Sequence, residues 1–291
     1  MTRPASRPLT PRWSRVLGEQ LRSVGLVVRP ALAVAVSLQV VLTLVVGLAA
    51  LRDGEGILFV PEFAALPALA AVVLPVAVWR GEYDVRRSYL ASLPVDRSVH
   101  LLTKLAAGWA WLMALTAAFV LGMVALALVT GGAIGGDELR VMAHDLPVGV
   151  PLAEVPSYAR RWTTPLWQWA TFFTVPTVGY LAGSTLVLAG GRVRRWLAGA
   201  AVTASFLLVL SEEGFAFGGL GEGVGDALEA LVEGTYGLET LFGDFDPTLV
   251  GETTPVWDAP PTARTWILTT LIWMGIAAAG VFLMIGRDRT A

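Results

Sequence analysis

Few residues in this sequence have the chemistry of a catalytic or metal site. The chain of 291 residues contains no cysteine, which excludes thiolate nucleophiles, disulfides and cysteine metal ligands. Its two histidines, His100 and His144, lie in segments that we expect on opposite sides of a membrane, so they cannot share a metal ion. Asp244 and Asp246 could form a metal-binding pair, although a turn before Pro247 is the simpler interpretation. Since no HExxH, GxSxG or CxxC motif occurs either, we expect that this chain is not an enzyme.

The sequence also lacks the residues that nucleotide hydrolysis and proton-coupled transport require. The phosphate loop GxxxxGK[ST] needs a lysine after a glycine, whereas the only lysine here, Lys104, follows Thr103. Proton-coupled transport favours acidic residues or histidine inside membrane spans. The long apolar runs of this chain have none away from their ends. If this protein moves a cargo, a partner must therefore supply the energy.

The most patterned charged stretch is residues 79–104, WRGEYDVRRSYLASLPVDRSVHLLTK. It contains four arginines, the only lysine and one of the two histidines. Long apolar runs flank it on both sides, so it must lie in water. Its tyrosines, leucines and valines recur at three- and four-residue steps, and Pro94 divides it into two short helical pieces. This pattern predicts a docking surface between two membrane helices.

The composition predicts an all-α polytopic membrane protein. Hydrophobic residues make up 55% of the chain and charged residues only 15%, whereas a soluble domain has about 25% charged residues. Apolar runs of roughly 20 residues are long enough to cross a bilayer as helices. The six predicted spans are residues 30–51, 59–79, 105–130, 165–190, 193–211 and 265–285. The fifth is short for a crossing.

The segments outside the spans have distinct patterns. Residues 1–29 form a basic N-terminus with an amphipathic interfacial helix, which we expect to break at Pro30; the alternative is that this helix begins a longer first span. Residues 131–164 are predicted to be a polar extracytoplasmic loop. Residues 212–263 begin with a glycine-rich run and continue with helical spacing, which favours extracytoplasmic helices. Residues 286–291 form a short cytoplasmic tail.

The charges divide unequally between the two faces of this topology. The face with both termini, residues 80–104 and the turn at 191–195 carries sixteen of the 21 basic residues and five of the 23 acidic residues. Positively charged segments stay in the cytoplasm. The sequence therefore predicts a multi-pass protein of the cell membrane with both termini in the cytoplasm.

Residues in the charged stretch resemble the signature of the ABC-2 type transporter permeases. The resemblance rests on EYD at 82–84, YLASLPVDR at 89–97 and Lys104 at the entry to the third span. The six spans, the interfacial helix before them and the long segment between the last two spans also match that family. Arg86 and Arg87 depart from the Gly-Thr pair of many members, which bears on the subfamily.

The resemblance implies a function and a set of partners. In this family, the segment corresponding to residues 80–104 couples the spans to a separate cytoplasmic ATPase, which binds ATP and magnesium, so this chain would need no cofactor of its own. The residues that the resemblance assigns to docking and coupling are Glu82, Arg86, Arg87, Leu90, Leu93, Pro94, Val95, Arg97 and Lys104.

The resemblance further implies a second permease half, either identical or different, surrounding membrane lipid, and no nucleic acid. We expect an exporter of a lipidic, amphipathic or other small cargo. The alternative is a non-transporting membrane scaffold or assembly factor with the same fold.

Overall fold

A computed structural model describes residues 13–54, 56–79, 97–143, 157–189, 227, 230–243, 248–250, 254–256 and 262–287. The helices are α1 (Trp13–Asp53), α2 (Ala65–Val78), α3 (Arg97–Val129), α4 (Thr171–Leu188), α5 (Leu238–Phe242) and α6 (Ala263–Arg287). Short 3₁₀ turns, Pro61–Ala64 and Leu166–Ala170, lead into α2 and α4. The strands are β1 (Asp137–Ala143), β2 (Ser157–Thr163), β3 (Thr248–Val250) and β4 (Thr254–Val256).

Five helices of the described residues are long and apolar enough to cross a membrane. They are Val16–Asp53, Pro61–Val78, Ser98–Val129, Leu166–Leu188 and Ala263–Gly286. These helices coincide with five of the six predicted spans, while the predicted span 193–211 lies outside the described residues. The fold is therefore that of a multi-pass α-helical membrane protein.

The helix packing defines two ends of the molecule. We name the end next to residues 80–96 the link end and the end next to strands β1 and β2 the hairpin end. At the link end, α2 ends just before Trp79 and α3 begins, and residues there cluster with Val187 of α4 and Ile285 of α6. At the hairpin end, Phe59 clusters with Phe172 near the start of α4 and with Ala127 near the end of α3. Helix α4 packs mainly against α2 and α6, and α1 packs mainly against α3. Helices α4 and α6 consequently run in the same direction, from the hairpin end to the link end.

The predicted break at Pro30 is wrong, because α1 continues through this residue without interruption. Pro30 is exposed, so its ring faces away from the protein, and the missing N–H removes only one hydrogen bond of the helix. Val24 and Val28, six and two residues before it, are buried against the rest of the protein. The 41 residues of α1 span about 60 Å, roughly twice the hydrocarbon thickness of a bilayer. Its N-terminal part must therefore extend beyond the hydrocarbon.

Two glycines one turn apart allow α2 and α4 to approach closely. A Cβ atom added to Gly183 would lie 2.9 Å from the carbonyl oxygen of Val72 and 3.1 Å from Cγ of Pro75. At Gly179 the nearest atoms would be 3.5 Å away, at the distance of an ordinary contact. Small residues four positions apart are the usual means by which membrane helices pack closely.

The predicted loop 131–164 is wrong in part, because it contains a β-hairpin. Strands β1 and β2 pair antiparallel from Asp137↔Thr163 to Ala143↔Ser157. Arg161 forms a bidentate ion pair with Asp137, with Nε–Oδ1 and Nη2–Oδ2 distances of 2.7 and 2.6 Å. Strands β3 and β4 form a second hairpin within the predicted helical segment 212–263. The part of the chain that the structure describes is thus mainly helical, with two antiparallel pairs of short strands.

Residues 236–243, here named the cap segment, lie between α4 and α6. Trp266 Nε1 donates to the carbonyl of Leu241, and Trp273 Nε1 donates to the carbonyl of Tyr236. These tryptophans are seven residues apart on α6, so the cap segment extends about 10 Å along that helix. Leu241 is 1% exposed, and α5 is therefore a packed element. The helical spacing predicted up to residue 242 is interrupted at residues 233–237.

Candidate functional site

The structure describes two of the nine predicted docking residues. Arg97 is the first residue of α3, and Lys104 lies two turns further along the same helix. The others lie outside the described residues: Glu82, Arg86, Arg87, Leu90, Leu93, Pro94 and Val95. What the structure describes is therefore the base of the predicted docking segment, where it joins α2 and α3.

Lys104 and Trp79 bring the two ends of this segment together. Trp79 follows the last residue of α2 and is fully buried. The Nζ atom of Lys104 lies 5.4 Å from the centroid of the Trp79 ring, which is a cation–π distance. The end of α2 and the first turns of α3, on either side of residues 80–96, are therefore in contact.

Helix α1 is attached to the same place by polar contacts. Gln20 Nε2 lies 3.1 Å from Nδ1 of His100 on α3. This contact lies within hydrogen-bond distance and joins α1 to the first turn of α3. Trp111 Nε1 donates to the carbonyl of Leu21 at 3.0 Å. We name Gln20, Trp79, His100 and Lys104 the link-base cluster, since they join three helices at one point.

Helix α4 supports the link-base cluster from the opposite side. The Tyr180 hydroxyl donates to the carbonyl of Leu105 at 3.0 Å, and Tyr180 is fully buried. Gly108 lies beside this hydroxyl, where a Cβ atom would collide with it. The start of α3 is therefore held by α1, by the end of α2 and by α4.

The sequence predicted part of this arrangement. The amphipathic helix predicted within residues 1–29 includes Val24 and Val28, and both are buried. Gln20, Tyr180 and the role of Trp79 were missed. Two signals were available: the indole of Trp79 at the end of a span and the single tyrosine, Tyr180, in an apolar helix. Both side chains have a polar atom that requires a hydrogen-bond partner or a position in the headgroup layer.

The described residues contain no group of three or more His, Asp or Glu side chains that could hold a metal ion. His144, Asp244 and Asp246 lie outside them. The link-base cluster has one lysine, one histidine and polar contacts between helices. Such an arrangement positions helices relative to one another.

Fold and cluster together define the class as a multi-pass α-helical membrane protein whose second and third described helices are joined through a packed base. Comparison with protein families, curated proteins and solved structures finds no match to this chain.

Proposed function

We propose that this chain is the membrane-spanning subunit of an ATP-driven exporter of the ABC-2 type, powered by a separate cytoplasmic ATPase. The observation that carries the proposal is the link-base cluster. It joins the ends of the predicted docking segment to α1, α2 and α3 through Lys104 over Trp79 and through the Gln20–His100 contact. A docking segment that transmits force needs such a base, because a slack attachment would absorb the movement.

The course of the chain supports a sixth crossing. Helix α4 ends at Leu188, at the link end. The cap segment that follows in sequence lies at the hairpin end, where Gln168 Nε2 donates to the carbonyl of Gly243. In the proposed topology, the intervening residues include the predicted span 193–211, which would return the chain from the link end to the hairpin end. Six spans would then place both termini at the link end.

The charge distribution supports a cytoplasmic link end, because basic segments remain in the cytoplasm. The basic N-terminus, residues 80–104 and the basic turn at 191–195 all belong to the link end in a six-span topology. We propose that ATP and magnesium bind the partner ATPase there. A second permease half, identical or different, would complete the path for a lipidic, amphipathic or other small cargo.

The test is co-purification of the chain with a candidate P-loop ATPase, chosen from the reading frames that neighbour its own. We expect Leu93→Asp and Arg97→Glu to abolish ATPase binding. The matched controls are Leu139→Asp and Arg160→Glu on the β1–β2 hairpin, where Leu139 is 73% exposed. The controls introduce the same charges at the opposite end and should bind normally.

Normal binding by both docking variants would refute the coupling assignment. If the wild-type complex assembles and hydrolyses ATP in proteoliposomes while no lipidic or amphipathic probe moves, the chain is a membrane scaffold of the same fold. Assembly together with ATP-dependent probe movement would support the exporter.

A further inference from the structure

Trp79 lies in an environment that tryptophan at the end of a membrane span normally avoids. Indole rings at such positions occupy the headgroup layer, where the ring is apolar and the N–H is hydrated. Trp79 is instead 0% exposed and packs in the core with Val78, Leu101 and Tyr180. Its Nε1–H has no hydrogen-bond partner among the described residues.

Four tryptophans of the described helices, unlike Trp79, have an acceptor for the indole N–H. These donor–acceptor pairs are Trp109 to Thr177 Oγ1, Trp111 to the Leu21 carbonyl, Trp266 to the Leu241 carbonyl and Trp273 to the Tyr236 carbonyl. Burying an N–H group without an acceptor is unfavourable, because the bond to water is lost and nothing replaces it. Burial of the ring and the cation–π contact with Lys104 oppose that cost.

We propose that Trp79 is a two-position switch that receives the movement of the docking segment. In the position seen here the ring is buried and its N–H is unpaired. In the second position the ring moves toward the headgroup layer, where the N–H gains an acceptor and the contact with Lys104 is lost. The two positions exchange ring burial for hydrogen bonding, so a force transmitted through the docking segment would shift the equilibrium between them.

The consequence lies in the helices around the ring. Trp79 belongs to the same core as Val24 and Val28 of α1 and Val187 of α4. Withdrawal of an indole from that core leaves a void that these helices must close, because protein interiors are closely packed. The switch therefore converts a displacement of the docking segment into a rearrangement of α1 and α4. That the docking segment moves the ring rests on the proposed function. The energetic cost of the unpaired Trp79 N–H does not depend on that function.

The first test measures thermal stability of the isolated full-length chain in lipid nanodiscs. Trp79→Phe and Trp266→Phe remove the same ring atoms from two buried sites, 0% and 6% exposed. Trp266→Phe also deletes a satisfied hydrogen bond, while Trp79→Phe deletes an unsatisfied donor. We expect Tm to fall less for Trp79→Phe, by at least about 4 °C. An equal or larger fall for Trp79→Phe would overturn the inference.

The second test follows the ring directly by ¹⁹F NMR of the complex labelled with 5-fluorotryptophan. The chain has 11 tryptophans, and the resonance missing from Trp79→Phe identifies the switch. We expect that resonance to shift between the nucleotide-free and ATP-bound complex. An unchanged resonance in a sample that hydrolyses ATP would overturn the switch and leave the proposed function intact. Failure of the ATPase to bind would overturn the proposed function and the driver of the switch, but not the stability result.

Discussion

Replacement of Gly183 by alanine tests the close packing of α2 and α4. The added Cβ would lie 2.9 Å from the Val72 carbonyl oxygen and 3.1 Å from the ring of Pro75. Neither neighbour can rotate away, since one is backbone and the other is a closed ring, so the helices must separate. Overpacking of this kind costs about 1–3 kcal/mol. We therefore expect Gly183→Ala to destabilise the protein.

Gly275→Ala on α6 is the matched control, because nothing lies within 4 Å of its added Cβ. Both substitutions share the higher helix propensity of alanine, which cancels in the comparison. A difference of about 2 kcal/mol corresponds to roughly 4–8 °C in Tm. The assay is thermal unfolding of the purified chain in nanodiscs. Equal Tm values for Gly183→Ala and Gly275→Ala would refute the reasoning, since they would show that α2 and α4 have room at this position.

Two further predictions concern single polar contacts. Tyr180→Phe should lower the free energy of unfolding by about 0.5–1.5 kcal/mol, because it removes the hydrogen bond to the Leu105 carbonyl. The control is Tyr236→Phe, at a side chain that is 49% exposed, which should leave thermal stability unchanged. Equal losses of stability for the two variants would contradict the assignment of this hydrogen bond. The hydrogen bond from Arg161 lowers the pKa of Asp137 below its ordinary value of 3.8, so the stabilisation of the hairpin is complete above that pH and is lost as the pH falls through the lowered pKa. NMR titration of the Asp137 carboxyl should show a midpoint that rises toward 3.8 in Arg161→Gln, and an unchanged midpoint would exclude this pair as the cause.

Much of the helical framework could be predicted from residue order. A run of about 20 apolar residues can satisfy its backbone in a bilayer only as a helix, so composition along the chain locates the spans. Helices α4 and α6 agree with the predicted spans to within six residues, whereas α2 begins six residues after the predicted start at Phe59 and α3 begins eight residues before the predicted start at residue 105. The hairpin β1–β2 was not predicted, because the alternation of Leu139 and Val141 in β1 is short and β2 has Arg160 and Arg161 in succession, so its period of two is weak.

The contacts that make the candidate site were not predictable in the same way. Gln20 and His100 are 80 residues apart, and no local pattern pairs them. Pro30 was expected to end a helix, but it lies on an exposed side of α1 and the packing of Val24 and Val28 continues past it.

The sequence by itself determined which segments are apolar enough to enter a membrane and which charged segment lies between two of them. Only the tertiary structure decided that Trp79 turns into the core and that the cap segment lies between α4 and α6. The physical reason is that hydropathy is a property of each segment alone, whereas the neighbour of a side chain depends on which helices pack closely and which buried N–H groups find an acceptor.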